Sequence, residues 1–148
     1  MKRLSLLALV LVAWGAENPA SQARVLIYQD HLRGFRANPI FFDGVEVASL
    51  RQRWSYFVLQ TSPGEHVIAG RHKEHELVLN FVPGKDYYVR LDEIRSYPGF
   101  YEKLTQASCV EVRSVVDSGK LHPIAPNDVR DNARVSLKIL APACGSAD

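Results

Sequence analysis

Histidines with acids beside them are the residues of this chain most suited to chemistry. His66, His72 and His75 lie close together, with Glu74 and Glu76 interleaved, and imidazole with carboxylate is a donor set for a divalent ion. The run H-K-E-H-E is neither the helical H-E-x-x-H motif nor a cysteine and histidine site, and on an extended strand His72 and His75 point to opposite faces. Only a turn that drew them together would make a metal site. The reading preferred here is a solvated, charged hairpin loop. His66 shares the parity of Ile68, so it is expected as a hydrogen-bonded histidine at the edge of the core.

Other catalytic patterns are weaker. The chain has no G-x-S-x-G elbow and no local cysteine and histidine pair to activate a nucleophile. Asp92 and Glu93 are paired acids, but neighbours on a strand face opposite ways and cannot share one substrate bond. The Pro-Gly turns do not lead into a helix as a phosphate loop requires, and no cofactor is expected. A different kind of site is offered by Arg95-Ser96-Tyr97-Pro98-Gly99-Phe100-Tyr101-Glu102. Tyr97, Phe100 and Tyr101 surround a Pro-Gly break and can form a rigid, amphipathic contact surface on a loop. In the competing reading Phe100 and Tyr101 fold back and cap the open end of the core.

Composition and charge exclude several classes. At 148 residues, with 47% hydrophobic and 23% charged, the chain fits one globular domain rather than a disordered one. Met1-Lys2-Arg3, the apolar run Leu4 to Ala13 and the small residues after it follow the order of a secretory signal. A membrane span needs about 20 apolar residues, and Glu17, Asn18 and Pro19 interrupt this run too early. Cleavage is expected after Ala23, with Gly15 closing the other small-residue site. The domain then runs from 24 to 140, a flexible tail from 141 to 148, and the mature chain is exported, periplasmic or otherwise extracytoplasmic, without a transmembrane span. Its basic and acidic residues nearly balance and are interleaved, which argues against nucleic acid or an anionic membrane surface as partner.

Cys109 and Cys144 both follow the signal, and an exported protein meets conditions in which disulfides persist. Either they pair, contributing on the order of 3 kcal/mol by restricting the unfolded chain, or they remain two thiols. No C-x-x-C motif points to a redox or zinc role.

The elements that must position these residues read as strands. Apolar residues from Arg24 onward follow a period of two, and turn residues interrupt them at short intervals. Arg24 to Gln29 is apolar on both faces, as a central strand is. Asp43-Gly44 marks a tight hairpin from the 39–43 strand into Val45 to Leu50, and Trp54 to Gln60 follows. Ser62-Pro63-Gly64-Glu65 and Val82-Pro83-Gly84-Lys85 each place Pro and Gly where a chain reversal wants them. Leu77, Leu79 and Phe81 share one face, as do Tyr87, Val89 and Leu91. Val110 and Val112 continue the alternation, which puts Cys109 on a polar strand face. Val129, Ala133, Leu137 and Leu140 line one side of a helix across 127–140, although the same segment also alternates as a strand would. The fold class is all-β: a small antiparallel sandwich, immunoglobulin-like or transthyretin-like, of about seven to eight strands with a short C-terminal helix.

The stretches ARVLIYQ (23–29), IFFDGVEVASL (40–50), WSYFVLQTSPGEHVIAG (54–70) and LVLNFVPGKDYYVRL (77–91) together resemble the bacterial family known as domain of unknown function 2846. These are exported, often lipoprotein-like β-sandwiches, similar in style to PEGA modules. The resemblance implies fold and export, and it carries no catalytic residues onto this sequence. It also departs at one point, because no lipid-accepting cysteine follows the apolar run. Function is therefore expected to be that of a non-catalytic periplasmic or cell-envelope module binding a protein or glycan. An exported metal-dependent or hydrolytic enzyme using His72, His75 and nearby acids is the alternative.

Overall fold

The structure is a computed structural model that describes residues 19–31 and 36–144. The apolar run of the expected signal and the last four residues of the expected tail lie outside the described residues.

Strand β1 (Ala23–His31) is central because both its faces are apolar. Val25 and Ile27 enter a core between two sheets, whereas Leu26 and Tyr28 enter a second apolar layer on the far side. Complete burial of such side chains contributes roughly 1.5–3 kcal/mol each. β1 pairs antiparallel with β4 (Ser55–Thr61) and parallel with β7 (Asp86–Ser96). β7 in turn forms a long hairpin with β8 (Gly99–Gln106). The other sheet takes β2 (Asn38–Phe42), β3 (Val45–Leu50), β5 (Gly64–Ala69) and β6 (Leu77–Phe81), in the order β3-β2-β5-β6. Two short strands, β9 (His122–Pro123) and β10 (Val135–Ser136), add to β4 and complete a six-stranded sheet. The fold is thus an all-β sandwich, mainly but not wholly antiparallel.

Local chemistry explains the turns. Asp43 and Gly44 take positive φ of 50° and 80°, the conformation that a two-residue hairpin between right-twisted strands requires. At Val82 to Lys85 the Lys85 N–H donates to the Val82 carbonyl at 3.2 Å, with Gly84 at φ 71°. Both Pro-Gly segments carry the chain from one sheet to the other, β4 to β5 and β6 to β7, rather than closing hairpins within a sheet.

The expectations differ from the structure in the C-terminal third. Cys109–Asp117, read as a strand continuing the Val110 and Val112 alternation, is the helix α1. Ser108 is its N-cap, and its hydroxyl accepts from the Glu111 N–H at 3.2 Å. Val112 packs with Leu26, Tyr28, Tyr56, Tyr88 and Leu140, so α1 covers the outer face of the six-stranded sheet. The segment 127–140, preferred above as a helix, instead holds a single 3-10 turn ending at Asp128, an isolated bridge from Val129 to Ala48, and β10. Here edge pairing won: β10 and the chain around it supply hydrogen bonds to the open side of β4 and β3. Cys109 and Cys144 form a disulfide, and the Arg113 guanidinium donates to the Cys144 carbonyl at 3.2 Å. The tail is therefore tied to α1 as far as Cys144. Among the described residues, no helix is long and apolar enough to cross a membrane.

Candidate functional site

Among the described residues, β7 and β8 outrun their neighbour at one end of the sandwich. β1 accompanies β7 only as far as Asp92, whereas the β7–β8 pairing continues to Ser96 and Gly99. The hairpin tip therefore projects, with Tyr97 99% exposed and Phe100 half exposed. Tyr101 takes neither simple course read from the sequence. Its ring lies 4.7 Å from that of His75, in the 3-10 turn between β5 and β6. Phe100 shares the parity of Glu102 and Leu104, and of these only Leu104 joins the core between the sheets.

At the root of the hairpin is a cleft of about 680 Å³. Its floor is Asn38 and Glu102, both buried. One wall is Pro98 to Tyr101, and the other is Arg71 and His72 from the β5–β6 connection, with Arg36 at the rim. Glu93 stands directly across the strand pair from Glu102. Like charges so placed repel, and neighbouring donors offset this: Asn38 Nδ2 donates to Glu93 Oε1 at 2.8 Å, while Arg71 Nε lies 3.8 Å from Glu102 Oε1. Glu102 Oε2 differs. It is buried and accepts no hydrogen bond, although His72 Nδ1 approaches to 3.4 Å.

The other candidates separate. His66 is remote from His72 and His75 in its contacts: Nδ1 pairs with Asp43 Oδ2 at 2.6 Å, Nε2 faces the Ser62 carbonyl at 3.0 Å, and the ring stacks on Phe42. It is the hydrogen-bonded histidine expected at the core edge. Burial opposes ionisation of Asp43, but the Val67 N–H and then His66 outweigh it and hold its carboxyl below the ordinary range. His72 faces Glu102 and His75 faces Tyr101, so the two engage different partners. Among the described residues, no three histidine, cysteine or acidic side chains converge as a metal site. Asp92 and Glu93 diverge as read, Asp92 to Arg90 at 2.8 Å and Glu93 to Asn38.

A second, smaller cleft of about 330 Å³ lies between Arg51, His122 and Asp128. Its buried acid is satisfied, since Arg51 Nε meets Asp128 Oδ1 at 2.5 Å and His122 Nε2 lies 3.1 Å from Gln52 Oε1. Tyr28 has a buried hydroxyl, and burial, followed by the charge of Glu111, pushes its phenol above the usual range. It is sealed beneath α1 and presents nothing to solvent.

Sequence reasoning missed Glu102 and Asn38. A signal was present: in Phe100-Tyr101-Glu102-Lys103-Leu104 an acid carries the parity of an apolar residue, a common mark of a buried polar group with a task. Comparison of the chain with models of protein families, with curated proteins and with solved structures finds no match. The chain's own geometry is the ground for a functional reading.

Proposed function

We propose that the chain is a non-catalytic binding module of the bacterial cell envelope, exported and soluble after removal of its signal, which engages a protein or glycan through the β7–β8 hairpin and the cleft at its root. One observation carries this reading. The hairpin projects beyond β1 and holds Tyr97 and Phe100 in solvent, where they add little to the stability of the fold and offer rigid, amphipathic contact area. The disulfide supports the extracytoplasmic part, because such bonds persist in oxidising compartments.

Export also bears on the cleavage site. Ala23 is fully buried, pairs with Thr61 and begins the central strand, while the Gly84 N–H donates to the Gln22 carbonyl at 3.2 Å. Cleavage after Gly15 would leave these contacts intact, and cleavage after Ala23 would remove them. The earlier site is the one proposed.

The test is crosslinking in the native envelope followed by mass spectrometry, comparing the wild type with a Tyr97→Ala, Phe100→Ala variant. A defined partner captured by the wild type and lost in the variant is the expected result. Equal capture by both proteins, or no specific partner for either, would overturn the reading.

A further inference from the structure

The four-stranded sheet ends in β3 on one side and β6 on the other. An edge strand offers unpaired N–H and C=O groups to any strand that approaches it. The chain covers β3 itself: Val129 bridges to Ala48, and the Arg130 N–H donates to the Val47 carbonyl at 3.0 Å. Among the described residues, no strand does the same for β6.

β6 is well made to pair. Leu77-Val78-Leu79-Asn80-Phe81-Val82 contains no charge and no proline, and Val78 and Val82 are 49% and 42% exposed. Such a run favours pairing with another strand. The direction of its backbone groups follows from β5. Val67, opposite Val78, takes its N–H to Asp43 Oδ1 and accepts the Asp43 N–H on its carbonyl. The Val78 groups therefore face away from β5, and by alternation so do the Asn80 carbonyl and the Val82 N–H.

One side chain meets them. The Tyr87 hydroxyl accepts from the Val82 N–H at 2.9 Å and donates to the Asn80 carbonyl at 3.2 Å. A hydroxyl is donor and acceptor at once, so it fills both places that a neighbouring strand would take there. The fold fixes its position: the Val82 to Lys85 turn returns the chain so that Tyr87 stands in β7 beside Val25, and its ring packs edge-on against Phe81 at 4.7 Å.

We infer that the edge of β6 is a latent self-pairing surface held shut by the Tyr87 hydroxyl, and that its occupant, once the hydroxyl is gone, is β6 of a second copy. Charge favours a second copy over an unrelated strand. The run is uncharged within and flanked by opposite charges, Glu76 before it and Lys85 after it, both exposed. Two such strands laid antiparallel about a two-fold axis bring Glu76 of each copy toward Lys85 of the other.

The experiment compares the purified wild type with Tyr87→Phe, which removes the hydroxyl and keeps the ring on Phe81, and with the double variant Tyr87→Phe, Val78→Lys, which places a charge on the edge. Sedimentation equilibrium reads self-association, and hydrogen exchange by NMR reads the Val82 amide. The expected results are a monomeric wild type, a Tyr87→Phe protein that dimerises at least tenfold more tightly, and a return to monomer in the double variant. In dilute Tyr87→Phe the Val82 N–H exchanges at least tenfold faster than in the wild type, and its protection returns as concentration rises. Melting curves establish that each variant is folded. A folded Tyr87→Phe protein that stays monomeric, a wild type that associates as tightly as the variant, or association that survives Val78→Lys would overturn the inference. Tyr97 and Phe100 are untouched in all three proteins, so the outcome is separate from partner capture at the β7–β8 hairpin.

Discussion

Asp43 joins backbone conformation to electrostatics in one residue. Its φ of 50° makes the β2–β3 turn, and its carboxylate accepts from the Val67 N–H at 2.9 Å and from His66. Because the folded carboxyl ionises below its ordinary value of 3.8, its contribution to stability is present above that value and is lost as pH falls through the folded one. Asp43→Asn keeps a residue that tolerates the left-handed region while removing the charge. The variant is therefore expected to unfold at lower urea concentration than the wild type at pH 6, with the difference shrinking toward pH 2. A gap that stays constant across that range would refute the linkage. Which residues have such partners was unevenly legible from sequence. His66 was placed by parity with Ile68 alone, whereas Glu102 needed the β7–β8 register and the fold of residues 70–72, which no local pattern encodes.

Strand elements were legible wherever one face or both met a core, as in β1 and β6, and the Asp43-Gly44 turn located its hairpin. α1 was misread because Val110, Val112, Val115 and Val116 suit a strand, and β-branched residues weaken the helical signal. Its mark lay in Ser108-Cys109-Val110-Glu111, the S-x-x-E pattern of a helix start. Glu111 completes that pattern only in part, since its carboxylate goes to Arg90. The hydroxyl of Ser108 nonetheless caps the first turn, and Ser108→Ala is expected to lower unfolding free energy by about 1 kcal/mol, read from denaturant titration. No loss would mean that packing on Leu26 and Tyr88 holds the helix without its cap. The reverse error, a helix read across 127–140, arose because Ala133 and Leu137 satisfy both periods. The open edge of β4 decided between them.

For the molecule as a whole, the two-sheet sandwich was foreseeable from alternation and turn spacing, but the parallel pairing of β1 with β7 was not, because it joins residues 62 apart, as in Arg24 with Asp86. The clamp at the other end of the chain gives a direct test. Replacing Cys109 and Cys144 together by Ser is expected to lower stability by about 3 kcal/mol and to expose the 137–144 segment to hydrogen exchange. Unchanged exchange there would show that Arg113 and Leu140 hold the tail unaided. The central position of β1 also orders events in time. As the chain emerges from its N-terminal end, this strand, buried on both faces, precedes the others. It can meet β4 early, but its other edge stays vacant until β7 has appeared, and its outer face stays bare until α1 follows. The layer built on β1 is thus completed only by the most distant of its partners, and a chain shortened before residue 109 is expected to leave Leu26 and Tyr28 uncovered.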